Sequence, residues 1–231
     1  MFYANRRVIE HEILDDLPPH SAEASLRDLV RINRLGGGHE VLRKRLRELV
    51  NPAEVFTLLD VGAASGDMGD VVREEYPKAV VTSLDYRISH LRMAREPRIV
   101  ADAFRLPFRL KSFDYVHCSL FLHHFKDEEL IPLLRDFGAL ARRAIVLTDL
   151  ERHALAFYAL PFSRWIFGWD AVTLHDGPIS VQAAFTAEEL RNLAQKAGLR
   201  EIDVRVHRPA FRLSLVASGG GSNAGMISSG A

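Results

Sequence analysis

The sequence predicts an α/β fold: a doubly wound sheet, mostly parallel, that ends in an antiparallel C-terminal hairpin and is preceded by N-terminal helices. Three observations predict it. After Asn51 and Pro52, short β-rich runs at 56–61, 79–84, 98–101, 113–119 and 144–148 alternate with stretches whose apolar residues recur three and four apart. Near the end, two extended runs at 199–207 and 210–217 flank Arg208 and Pro209 with no helical stretch between them, as in a hairpin. From 21 to 50, Leu26, Leu29, Val30, Leu42, Leu46 and Leu49 fall at helical spacing on either side of Gly36, Gly37 and Gly38, which predicts two amphipathic helices.

Between the strands, helices are expected at 68–75, 88–95 and 127–141. Thr186 is placed to cap a further helix running to Ala197, with Gly198 as its stop. The organisation that follows is a helical cap over 1–52, a main domain over 53–217 with a lid insertion at about 151–185, and a tail over 218–231. The tail is almost entirely Gly, Ser, Ala and Asn, cannot bury enough apolar area to offset its ordering entropy, and is expected to be flexible. On the two N-terminal helices Arg27, Arg31, Arg34, Arg43, Lys44, Arg45 and Arg47 are interleaved with Glu23, Asp28, Glu40 and Glu48, which reads as a solvated face rather than a nucleic-acid patch.

Composition narrows the function classes. The chain has 231 residues, of which 48% are hydrophobic and 26% charged, values of a globular chain with a real core. Thirty basic residues balance thirty acidic ones, so no global field recruits nucleic acid or an anionic membrane. The single Cys118 cannot form an internal disulfide and sits in an apolar strand pattern, where a core role is expected. The first dozen residues carry Arg6, Arg7, Glu10 and Glu12 and no apolar run, and the apolar stretch 154–169 is broken by Pro161 and Arg164, so neither export nor membrane insertion is expected. A cytoplasmic setting follows as the expectation. No ligand spacing for a metal is evident, and none is expected.

The chemistry is concentrated at strand ends. In an open α/β sheet the ligand binds beyond the carboxyl ends of the strands, so the loop Asp60, Val61, Gly62, Ala63, Ala64, Ser65, Gly66, Asp67 is the default cofactor site. Only one glycine in three matches the dinucleotide spacing GxGxxG, which speaks against a nicotinamide oxidoreductase. The shorter GxGxG is matched by Gly62 and Gly66 with Ala64 between them.

With Leu84 and Asp85, Ala101 to Ala103, Leu106 to Phe108, Ser112 to Asp114 and Ser119 to Phe125 following in order, the stretch 58–217 resembles the class I S-adenosylmethionine-dependent methyltransferases, whose fold is Rossmann-like. The resemblance implies S-adenosylmethionine as cofactor and S-adenosylhomocysteine as product. It implies that Gly62, Ala63, Ala64 and Gly66 wrap the methionyl part and that Asp60 interacts with its amino group. It further implies that Asp85 accepts from the ribose hydroxyls, that Tyr86 packs on the adenine, that Asp102 and Ala103 meet the adenine edge, and that Ser119 and Leu120 flank the sulfonium. The segments 13–16, 31–35 and 149–158 are also similar to a bacterial subgroup associated with aromatic polyketide and quinone biosynthesis.

The expected reaction is methylation of a small, apolar acceptor, an aromatic phenol or quinone-like molecule, with oxygen favoured. The alternatives are a non-catalytic S-adenosylmethionine-binding protein and an RNA or protein methyltransferase. A phenolic acceptor needs a base, for which histidine is suited. Two arrangements compete: His153 oriented by Asp149, if a helix beginning at Leu150 puts them on one face, or His124, with His175 a more remote candidate. Phe157, Tyr158, Phe162, Trp165, Phe167 and Trp169 suggest an apolar lid over the acceptor. A monomer or homodimer is expected.

Overall fold

The computed structural model describes residues 3–219, without the side chains of 15, 16, 19–22 and 160. The expected tail therefore lies largely outside the described residues, and Ser218 is the last residue of a strand. Seven strands form one sheet: β1 (Thr57–Val61), β2 (Val80–Asp85), β3 (Arg98–Val100), β4 (Phe113–Ser119), β5 (Ala141–Leu150), β6 (Arg200–His207) and β7 (Arg212–Ser218), in the order β3-β2-β1-β4-β5-β7-β6. Strands β1 to β5 pair in parallel, while β7 runs antiparallel to both β5 and β6. The order reverses between β1 and β4, which opens a crevice at their carboxyl ends.

The strands alternate between two apolar layers, as a period of two requires. Leu58, Tyr115 and Val146 face one layer with Leu42 and Leu46 of α2 (Gly38–Arg47) and Val71 and Val72 of α3 (Asp67–Glu75). Leu59, Val116 and Leu147 face the other, with Leu130 and Phe137 of α4 (Asp127–Leu140) and Leu190 and Leu193 of α7 (Ala187–Lys196). Thr186 caps α7 as expected, its Oγ1 accepting from the Glu189 N–H at 3.3 Å while the Glu189 carboxylate accepts from the Thr186 N–H at 2.8 Å. Cys118 is wholly buried in the core.

Two expectations are corrected. Residues 88–95 form only a single 3₁₀ turn, His90–Arg92, because a segment this short between two strands closes too few i→i−4 bonds to propagate an α-helix. Arg45 is not on the solvated face of its helix: it is 1% exposed and bonds Asp203 of β6 at 2.8 Å and Glu48 at 3.0 Å, tying α2 to the sheet edge.

The N-terminal part is more than helices. Before α1 (Pro19–Leu35), an extended strap runs from Tyr3 to a 3₁₀ turn, Ile13–Asp16. Arg7 bonds the carbonyls of Phe125 and Ala183, each at 2.7 Å, and the Val8 N–H donates to the Gln182 carbonyl. The buried Asp176 accepts from the N–H groups of Ile13 and Leu14, both at 3.0 Å. Asp176 belongs to α6 (Ala171–Ala183), which follows α5 (Ala154–Phe167); these two helices and the strap enclose the space beyond β4 and β5.

Candidate active site

The turn after β1 is built on positive φ angles at Gly62 (67°), Ala64 (45°) and Gly66 (78°). At the two glycines the missing side chain makes room for the protein's own groups. A Cβ on Gly62 would stand 2.5 Å from the Phe121 ring, and one on Gly66 would stand 2.6 Å from the Ala94 Cβ. Asp60, at the end of β1, is 1% exposed; its Oδ1 lies 2.7 Å from Nδ1 of the buried His117, and its Oδ2 has no hydrogen-bond partner. A buried carboxylate oxygen left in this state is an acceptor waiting for a cationic donor.

Asp85 ends β2 with one oxygen accepting from the Ala64 N–H at 3.0 Å and the other from the Arg87 N–H at 2.9 Å. It therefore braces the β1 turn as well as facing the cavity, and its remaining lone pairs are available to a diol. Asp102 has one oxygen engaged by the Phe104 N–H at 2.9 Å, with Ala103 buried beside it. Tyr86 is 74% exposed at the rim. Ser119 and Leu120 line the cavity floor, the Ser119 hydroxyl being buried without a partner and the Leu120 N–H donating to the Thr148 carbonyl at 3.0 Å.

Beyond β4 the structure departs from the expected pairing. Asp149 does not orient His153. Helix α5 starts at Ala154 rather than Leu150, so His153 becomes its N-cap, with Nδ1 accepting from the Leu155 N–H at 3.1 Å, and it does not line the cavity. Asp149 is instead committed to the β4 exit, where it accepts from the Leu122 N–H at 3.0 Å and its Oδ1 stands 2.6 Å from His123 Nδ1. The other ring nitrogen of His123 faces Glu12 of the strap at 3.6 Å, and Glu12 accepts a hydrogen bond from the Ser180 hydroxyl of α6 at 2.5 Å.

Burial alone would depress the His123 pKa. The charges and hydrogen bonds of Asp149 and Glu12 outweigh it and push it up to about 10. Burial alone would raise Glu12, which the His123 bond and the two histidine charges bring down to about 2, and Asp149 is lowered against its burial by His123. His123 is thus an imidazolium clamped between two carboxylates. His124 stacks on it with ring centroids 4.4 Å apart and lines the cavity, whereas His175 is exposed against Asp176 and does not.

Against the expectation of no metal ligands, folding gathers three donors: ligand atoms of Glu12, His123 and His124 lie within 4.8 Å of one another. His123 and Glu12 already serve each other, Asp149 and Ser180, which is the bonding of an ion-pair network. No sequence spacing reveals this group, because Glu12 lies far upstream on the strap. Doubled histidines at the β4 exit were the only signal.

Of the six aromatics expected to roof the cavity, Phe167 alone lines it. Ala156, Ala159, Ser163 and Phe167, at helical spacing, form the inner face of α5. Tyr158, Phe162 and Trp165 fall on the outer face, the last two 78% and 83% exposed, while Phe157 and Trp169 are buried without lining the cavity.

Asp60, the β1 turn, Asp85, Asp102, Ser119, Glu12, His123 and His124 line one cavity of about 1140 Å³ that extends from the ends of β1, β2 and β3 to the strap, α5 and α6. A family model described as a methyltransferase domain matches residues 58–144, the stretch that builds β1 to β4 and their loops. Residues 58–144 thus form a methyltransferase domain.

The methyltransferase domain has relatives of several kinds. The demethylmenaquinone methyltransferase of Thermotoga maritima is 25% identical over 134 residues, covering 54% of this chain and 58% of the relative. The malonyl-[acyl-carrier protein] O-methyltransferase of Geobacter sulfurreducens is 31% identical over 177 residues, covering 71% of this chain and 62% of the relative. The chain thus spans about three-fifths of the length of these curated relatives. An S-adenosylmethionine-dependent methyltransferase from Aquifex aeolicus shares the fold with a TM-score of 0.60 and 15% identity, over 87% of this chain and 98% of that one. Among the described residues no helix is long and apolar enough to cross a membrane.

Proposed function

We propose that the chain transfers a methyl group from S-adenosylmethionine to oxygen of a small, apolar acceptor, an aromatic phenol or quinone-like molecule. The observation that carries this reading is the single cavity shared by the methyltransferase cofactor loop and an apolar chamber under α1, α5 and α6. A pocket of this volume holds two small molecules side by side. The relative that acts on demethylmenaquinone supports a quinone-like acceptor, and the O-methyltransferase relative supports oxygen.

The residues present fit the cofactor. The partnerless Asp60 Oδ2 suits its ammonium group, Gly62, Ala63, Ala64 and Gly66 supply a turn close to its methionyl end, and Asp85 retains lone pairs for the ribose. Tyr86, Asp102, Ala103, Ser119 and Leu120 line the same cavity, and in this reading the first three would meet the adenine and the last two would flank the sulfonium. When bound, the cofactor supplies a methyl already activated on a cationic sulfur, so the chain's main work is to position the acceptor and exclude water.

The strap and α6 close the chamber, and small side chains on α5 leave width for a ring. His123, already protonated, cannot take the acceptor's proton. His124 is the base in this reading: a proton arriving there meets the charges of Glu12 and Asp149, which both feel it. Asp149 is then a positioning residue that acts through His123.

The test has two parts. Calorimetry with S-adenosylhomocysteine should show binding, and turnover of S-adenosylmethionine with a panel of phenols and hydroquinones should yield methyl ethers. Binding without turnover on any acceptor would favour the non-catalytic alternative, and methylation of total RNA would favour the macromolecular one.

A further inference from the structure

One buried charge in the cavity is left over by this account. Arg212 opens β7, pairs across the sheet with Leu150 at the exit of β5, and lines the cavity with its side chain 1% exposed. The other two deeply buried arginines each pair with acids, although the Nε of each is also without a partner. Arg45 bonds Asp203 and Glu48, and Arg152 bonds both oxygens of Glu189, at 2.6 and 2.9 Å, and the Ala184 carbonyl at 2.8 Å. Arg212 makes no side-chain hydrogen bond or ion pair of this kind among the described residues, and its Nη1 is buried without any partner.

Its neighbours cannot supply one. Asp149 and Asp67 attract it at longer range, but Asp149 is held by His123 and two N–H groups, while Asp67 accepts from Asn33 at 3.1 Å and contacts His39 at 2.8 Å. Gly36, in the loop between α1 and α2, lies against the guanidinium and brings no polar side chain to it: a Cβ there would come within 3.7 Å of Nη2. Burial pulls the Arg212 pKa down to about 10, which still leaves it charged near neutrality. A buried, charged fork with an unpartnered Nη1 is strongly unfavourable until an anion of matching shape arrives, and a carboxylate matches a guanidinium with two parallel hydrogen bonds.

We propose that Arg212 is a carboxylate-binding residue inside the cavity. The proposal rests on the reading of that cavity as a methyltransferase site. Two molecules expected there can bring a carboxylate: the cofactor, through its amino-acid end, or an acidic acceptor. The chemistry at Arg212 is the same in both.

Calorimetry on the wild type, Arg212→Met and Arg212→Lys separates the sources with four probes: S-adenosylhomocysteine, 5′-methylthioadenosine (the same nucleoside thioether without the amino-acid carboxylate), 4-hydroxybenzoate and phenol. If the cofactor brings the carboxylate, Arg212→Met weakens S-adenosylhomocysteine by about 10- to 100-fold, the scale of a hydrogen bond to a charged group, and leaves methylthioadenosine unchanged. If the acceptor brings it, the same loss falls on 4-hydroxybenzoate and spares both S-adenosylhomocysteine and phenol. Arg212→Lys keeps the charge without the fork and should lose less than Met in whichever arm responds. It also serves if the Met variant does not fold. Variants that bind every probe as the wild type does would overturn the proposal. Failure of the wild type to bind either nucleoside would instead overturn the methyltransferase reading.

Discussion

His123 Nδ1 lies 2.6 Å from Asp149 Oδ1, joining the exit of β4 to the end of β5, and the far side of the same ring faces Glu12 at 3.6 Å. One imidazolium thus fastens the N-terminal strap to the centre of the sheet.

The linkage to stability has a definite sign. His123 is raised from 6.5 to about 10, so its contribution is complete below about pH 6.5 and is lost as pH rises through 10. Glu12 is lowered from 4.5 to about 2, so its contribution is present above about 4.5 and is lost as pH falls through 2. Thermal melts should therefore peak between these limits, and His123→Gln should flatten the alkaline limb. Asp149→Asn, which strands the buried imidazolium, should destabilise by about 3–5 kcal/mol in chemical denaturation. Identical alkaline limbs in wild type and His123→Gln would refute the assignment.

The two candidate bases now make unequal forecasts. His124→Ala should lower turnover by a factor of about 100 to 10,000 with cofactor affinity nearly intact. His153→Ala removes a helix cap together with the ring's contacts to Arg208 and Phe211, and should reduce stability by about 1 kcal/mol or more with turnover little changed. Turnover against pH for both variants, beside the wild type, decides the matter; a large loss at His153 would restore the pairing expected from sequence.

Asp85→Ala should weaken S-adenosylhomocysteine binding by about 1.5–3 kcal/mol through the ribose hydrogen bonds. Because Asp85 also holds the Ala64 and Arg87 N–H groups, the variant should additionally speed amide exchange in the β1 turn. Calorimetry and hydrogen exchange read the two effects separately, and unchanged affinity would remove Asp85 from the cofactor site.

Gly66→Ala should destabilise the fold by about 1–3 kcal/mol, since an L side chain is strained at φ 78° and its Cβ meets Ala94. The same change should weaken the cofactor, because the turn cannot keep its shape. A variant as stable as the wild type would show that Ala94 yields freely.

The strand pattern, the C-terminal hairpin and the β1-turn end of the cavity were legible in the sequence because they depend on local rules. Short β-rich runs between helical stretches, and the two extended runs around Arg208 and Pro209, made the strands visible, and Gly62, Gly66, Asp85 and Asp102 stand at or just beyond strand ends whose position follows from the strands themselves. The acceptor end was not legible. His123 and Asp149 are 26 residues apart in sequence, while Glu12 and Ser180 are 168 apart, and only the sheet order and the path of the strap bring them together. A start four residues later than the one considered for α5 turned His153 from a partner of Asp149 into a cap and rotated Phe162 and Trp165 outward. Arg212 is one basic residue among thirty in the sequence; folding alone decides that its charge is buried in the cavity while its Nη1 stays without a partner. Local periodicity specifies which face a residue takes, but long-range packing decides which groups share that face and which of them are left without a partner.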